Sequence, residues 1–406
     1  MFMPSARNWE EMKYEAAGCW PLPINNGDEF AIVTKMGTAS IKAAYRSCPV
    51  SLTVARAETP DGVVLATTLT VADDPSAALM LSGVLRHADE QLALEQILYT
   101  GRTLMVFFDE ASRPVARAVC VLGAEKCEAA SAMVDATGIR YTGAWTQLLS
   151  DVLDEVQGNS DPQLAVPAKY APSFITIPLT LSGFETNRLT TIGLGGEVLE
   201  FRLDDPDEGH GLEQSTWHLL ENLFAGSILH SPQVHEVAEE RELTDILMYC
   251  DAGLCLIEAK AANTLTTSLE RTTERRISSV QKQIDKGISQ LLGALKNLKA
   301  GLPLATKAGV PVTIPASVGL IRQGIVMVSE MLPGLDWEAI GAQLLAASEK
   351  SGAMLHILDL RELRVLVGIS RDNPVLFAAY LSHRFDIMTE RNHALLRMQL
   401  DGPPIP

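Results

Sequence analysis

Apolar positions along the chain follow two rhythms. In the first two hundred residues they mostly alternate with polar ones or run in short blocks rich in Val, Ile, Thr and Phe. Examples are FAIVTK (30–35), VSLTVARAE (50–58), VVLATTLTV (63–71), LMVFFD (104–109) and PVARAVCVL (114–122), with the turn signal TPDG at 59–62. Such blocks between turn residues predict strands. Two stretches, 75–99 and 143–158, instead repeat apolar residues three and four apart and predict helices. Strand signals resume at 173–181 and 196–203. After the acidic run DDPDEGHG (204–211) the pattern changes: helices fit 212–229, 273–300, 337–350 and 374–396, and strands fit 242–250, 254–260, 319–329 and 353–360. This alternation predicts an α/β fold, a sheet with helices packed on it. Residues 1–205 form a mixed α/β region with many strands and a sub-boundary near GNSDPQ (158–163), and residues 206–406 form a second domain.

A chain of 406 residues fits two such domains, and 47% hydrophobic residues exclude a disordered chain. No stretch approaches the roughly 18–20 uncharged apolar residues that span a bilayer. The opening MFMPSARNWEEMKYE lacks a cationic segment followed by an apolar run, so no secretory signal is expected. Six cysteines without C-x-x-C spacing fit reduced thiols in a cytoplasm. The net charge of −17 argues against an evenly basic coat for nucleic acid, yet it leaves room for a local basic groove.

The chemistry concentrates in RELTDILMYCDAGLCLIEAKA, 241–261. Two short apolar strands flank the turn CDAG; the first carries Asp245, and the second ends in Glu258-Ala259-Lys260. Residues two apart on a strand share a face. Glu258 and Lys260 therefore point the same way, and the hairpin brings Asp245 alongside. Two close carboxylates need a cation to neutralise them. Mg²⁺ suits the site, with Mn²⁺ as a substitute, because it takes oxygen ligands and typically one or two carboxylates plus waters and substrate phosphate. Between 260 and 299 there are eight basic residues against three acidic ones, a local excess that phosphate-backbone binding needs.

Asp245 in T-D-I-L, Glu258-x-Lys260 and an acid on the preceding helix resemble the PD-(D/E)xK nuclease superfamily, the restriction-endonuclease-like fold. The resemblance covers about 212–392 and extends to predicted nuclease-like bacterial proteins with a Gln-rich basic helix after the lysine-ending strand. Thr244 stands where the superfamily's usual proline precedes the aspartate. The resemblance implies a restriction-endonuclease-like mixed sheet and a Mg²⁺-dependent nuclease, with DNA favoured over RNA as substrate and bacterial defence as the setting. Asp245, Glu258 and Glu221 would be metal ligands, with Glu213 and Glu242 as competitors for the helix acid. Lys260 would serve the attacking water or the phosphate. Arg275, Arg276, Gln281, Lys282, Gln283 and Lys286 would face the nucleic acid. Double-strand cutting favours a homodimer, and the acidic first half could receive a protein partner. The alternative is an inactive nuclease-like fold that binds nucleic acid or protein.

Other motifs are absent or incomplete. There is no G-x-x-x-x-G-K-[ST] and no G-x-S-x-G. GLGG (193–196) reads as a tight turn. His235-Glu236 begins an H-E-x-x-H, but Glu239 replaces its second histidine.

Overall fold

In the computed structural model, the described residues are all but 1–3, 14, 16, 73–77, 136–137, 161–166, 193–197, 236–239, 262–272, 333 and 398–406. The chain divides into two compact units, Met1–Asn187 and Arg188–Thr267 with Arg271–Pro404. The fold is mixed α/β. The division falls at 187/188 rather than near 205, because the short hairpin after it packs with the second unit.

The first unit contains α1 (Ala6–Met12), β1 (Gly18–Ile24), β2 (Glu29–Lys35), α2 (Thr38–Tyr45), β3 (Val50–Thr59), β4 (Gly62–Val71), β5 (Leu79–Val84), α3 (Ala88–Thr100), β6 (Arg102–Phe108), β7 (Pro114–Leu122), α4 (Ala124–Val134), α5 (Gln147–Ser160) and β8 (Ser173–Thr186). One eight-stranded sheet has the order β1-β2-β6-β7-β8-β3-β4-β5, parallel only between β2 and β6. It rolls until its edges meet: the Thr67 hydroxyl donates to the Cys19 carbonyl at 3.1 Å, and a Cβ on Gly83 would lie 2.8 Å from that oxygen. Two expectations change here. The stretch 75–99 is not one helix: 79–84 pairs with β4 as a strand, and the helix starts only at Ala88. There Glu90 caps back onto the His87 amide. Nor is there a boundary near 160, because β8 inserts between β7 and β3 and α5 packs on β4 and β5.

The second unit contains β9 (Leu189–Ile192), β10 (Val198–Phe201), α6 (Glu208–Glu221), β11 (Ile228–His230), β12 (Gln233–His235), β13 (Glu240–Glu242), β14 (Ile246–Cys250), β15 (Gly253–Lys260), α7 (Thr273–Lys299), β16 (Leu304–Ala305), β17 (Pro311–Val312), β18 (Ile321–Val328), α8 (Trp337–Ser351), β19 (Met354–Leu358), α9 (Leu360–Ser370) and α10 (Pro374–Arg391). Its main sheet runs β11-β14-β15-β18-β19. The first three strands are antiparallel, and β18 and β19 continue parallel to β15.

Alternation along β15 sorts the core into two layers. Leu254 and Leu256 meet α7 and α8, while Cys255, Ile257 and Ala259 meet α6, α9 and α10. Helix α7 turns Val280, Ile284, Ile288, Leu291 and Leu295 to the sheet at helical spacing. Gly287 permits its close approach, since a Cβ there would lie 2.5 Å from Val326, which is paired with Glu258. Among the described residues no helix is long and apolar enough to cross a membrane.

Candidate active site

Strand β15 ends at Lys260, and the pleat puts Glu258 and Lys260 on the α7 face with Leu254 and Leu256. Asp245 does not lie inside a strand, as its apolar flanks had suggested. It stands one residue before β14. There its side chain does the work of a backbone acceptor, with Oδ2 receiving the Ala259 amide at 2.6 Å. Its neighbours lock this entry. The Thr244 hydroxyl donates to the Ile257 carbonyl at 2.7 Å, and the Asp245 carbonyl accepts the Ser231 amide at 2.8 Å. Thr244 thus supplies a cross-strand bond that proline could not make.

The three chemistry-bearing side chains converge. Lys260 Nζ donates to Glu258 Oε2 at 2.7 Å, to Asp245 Oδ2 at 3.3 Å and to the Ala259 carbonyl at 3.1 Å. The Glu258 side chain is 3% exposed, against 10% for Lys260 and 19% for Asp245. Burial pushes the Glu258 carboxyl up to about 7, and the Asp245 charge adds to the rise. Lys260 offsets only part of this. Burial works against the Lys260 charge, but Glu258 and then Asp245 outweigh it, so its pKa stays above the usual lysine value. The cluster thus has two acids and one ammonium, and its more buried acid is short of positive charge.

The helix acid is a correction. Glu221 is buried at the last position of α6, and the chain beyond it leads to Ser227, whose carbonyl accepts the Tyr249 amide beside the β14–β15 turn. That is the opposite end of the sheet from Lys260. Glu213 lies eight residues earlier on α6, roughly 12 Å along the axis. Its Oε1 is 3.5 Å from the Ser231 hydroxyl and 2.5 Å from His230 Nε2. Ser231 in turn holds Asp245, so Glu213 belongs to the Asp245 end. Burial raises the Glu213 carboxyl, but His230 more than reverses this, and its pKa lies below the usual value. The signal for this assignment was the short block ILH (228–230). Its three residues pair with β14, whereas the helix expected over 212–229 takes in Ile228 and Leu229. Glu242 is exposed at the end of β13, in the separate β13-β12-β16-β17 sheet. Among the described residues no three His, Cys, Asp or Glu side chains form a metal-holding group.

Contacts down α7 fix its direction. Leu291 lies over Gly324, Gly287 over Val326 and Ile277 near Gly334, so the helix starts at the Lys260 end. Its N-terminal half carries all six residues expected to face nucleic acid. Arg275, Lys282 and Lys286 are exposed, and Gln283 is half-buried. Gln281 donates to Asp285 at 3.0 Å, which also accepts from Gln343 at 3.1 Å. Arg276 differs from the rest: its guanidinium grips Glu330 through Nε at 2.9 Å and through Nη2, and holds α7 to the segment after β18.

No protein-family model, curated protein or solved structure matches the chain.

Proposed function

We propose that the second unit is a metal-dependent nuclease that hydrolyses phosphodiester bonds, with DNA favoured over RNA. The observation that carries this reading is the meeting of Asp245, Glu258 and Lys260 at one sheet end, with Lys260 Nζ 2.7 Å from Glu258 and 3.3 Å from Asp245. It is supported by the succession of an aspartate at a strand entry, an E-x-K strand and a Gln-rich basic helix, as the PD-(D/E)xK resemblance implies.

The donor set fits Mg²⁺. Asp245 and Glu258 offer hard oxygen ligands, and two carboxylates are enough for an ion that keeps waters and substrate phosphate. Asp245 and Glu258 would hold the ion, and Mn²⁺ could replace it. When bound, it supplies Lewis-acid stabilisation of charge developing on the scissile phosphate.

The chain's own groups do the rest. Lys260 stays an ammonium, so it donates hydrogen bonds to the attacking water or a phosphate oxygen and does not act as a base. The Ala259 amide holds the Asp245 carboxylate, and the Ser231 amide holds its backbone carbonyl. Lys282 and Lys286 lie exposed on α7 to receive the phosphate backbone.

Cleavage of plasmid and linear DNA by the purified chain, with Mg²⁺ or Mn²⁺ and with EDTA, tests the reading. Metal-dependent cuts that vanish in Asp245→Ala are expected. No cutting of DNA or RNA with either ion rejects it. A second reading, an inactive nuclease-like fold that binds nucleic acid or protein, is favoured by one observation: no third carboxylate joins Asp245 and Glu258 among the described residues. Metal-independent binding of DNA without cleavage is its signature.

A further inference from the structure

Ser231 carries strain next to the proposed site. Its backbone is left-handed, with φ 46°, and it precedes Pro232. A side chain makes this left-handed conformation unfavourable, and a residue before proline is normally held extended. Such strain persists only where surrounding contacts over-determine it, and it concentrates at functional sites.

The contacts are present. The Ser231 amide donates to the Asp245 carbonyl at 2.8 Å. Its carbonyl accepts Gln233 Nε2 at 2.7 Å, and the next carbonyl, of Pro232, accepts the Leu243 amide at 2.8 Å. Its hydroxyl faces Glu213 Oε1 at 3.5 Å. Glu213 is itself steadied by His230, whose ring lies edge-on to Trp217 at 5.4 Å. Glycine would take this backbone freely. What serine adds is the hydroxyl directed at Glu213.

We propose that Ser231 is a positioning residue for Asp245, its left-handed backbone anchored to α6 through Glu213 and His230, so that the Asp245 carboxylate is preorganised before any ligand arrives. The role rests on the nuclease reading only as regards activity, and the two can fail separately.

The test is hydrogen exchange at the Ala259 amide, whose acceptor is Asp245 Oδ2, measured on the full chain beside the mid-strand Leu256 amide. In Ser231→Gly, Ala259 should exchange about tenfold faster while Leu256 is unchanged. Ser231→Asn tolerates the left-handed backbone and offers an amide donor to Glu213. It should restore Ala259 to within about threefold of the parent chain. Glu213→Gln, a second route to the same tie, should loosen Ala259 as well. Unchanged exchange in Ser231→Gly and Glu213→Gln, or failure of Ser231→Asn to rescue, overturns the proposal. With Mg²⁺ and DNA, kcat should fall in Ser231→Gly and recover in Ser231→Asn at constant KM. A parent chain inert on DNA and RNA would reject the nuclease reading, while the exchange result would still decide the role of Ser231.

Discussion

Among the described residues two lysines end strands, and their surroundings give them opposite meanings. Lys35, the last residue of β2, is 2% exposed. Its ammonium donates to the carbonyls of Met12 (3.3 Å), Lys13 (3.2 Å) and Glu15 (2.6 Å), at and just beyond the end of α1. Helix C-termini leave such acceptors unmatched and attract cations. Lys260, the last residue of β15, is half-buried and rests on two carboxylates. One lysine neutralises dipoles and completes a structure. The other is outnumbered by acids, and the surplus falls on Glu258. Burial of a lysine is therefore no guide to its role; the charge balance of its partners is.

The strongest way to break the comparison is to remove each lysine. Lys260→Met should lower metal-dependent cleavage per folded molecule by at least about 10²-fold, as loss of a transition-state donor does. Asp245→Ala should act alike. Lys35→Met should do the reverse. It strands the carbonyls that cap α1 and should cost about 2–4 kcal/mol in denaturant unfolding, with cleavage per folded molecule unchanged. If Lys35→Met abolishes cleavage and Lys260→Met only destabilises, the assignment is inverted.

A finer effect follows from pH. Folding raises Glu258 from 4.5 to about 7, so between these values the folded chain holds the extra proton, and stability falls as pH rises through that window. His356 works the other way. It is buried, and burial brings its pKa from 6.5 to about 3, so its contribution is full above 6.5 and is lost as pH falls toward 3. The stability difference between the parent chain and Glu258→Gln isolates the first term. It should change by about 2–3 kcal/mol between pH 4.5 and 7, and saturating Mg²⁺ at pH 8 should stabilise the parent more than the variant. A flat difference would mean that Glu258 is not short of charge. The smallest effect concerns the helix acids: Glu221→Gln should leave cleavage within about threefold of the parent. A larger loss would restore Glu221 to the site.

The E-x-K geometry was legible in the sequence because a strand's pleat is strictly local: Glu258 and Lys260 had to share a face. The mixed α/β class was legible for the same reason. What failed depended on partners distant in sequence. Asp245 read as a strand residue because its apolar neighbours did, yet its side chain replaces the backbone bond that would have extended β14. The apolar run 79–84 has spacing that suits a helix and became a strand because β4 offered it a ladder. The apolar spacing over 212–229 reads as one helix, and the pairing of 228–230 with β14 turns the chain back and leaves Glu221 at the other end of the sheet. Arg276 read as a phosphate ligand, and its partner Glu330 lies 54 positions away. Lys35 gave no signal at all, since α1 is a separate element.

Anomalous scattering from a crystal of the full chain soaked in Mn²⁺ bears on all of this at once. A peak between the Asp245 and Glu258 carboxylates, with Lys260 Nζ moved off them, is the expected result. Mn²⁺ bound elsewhere, with Lys260 still bridging both acids at saturating metal, would contradict it.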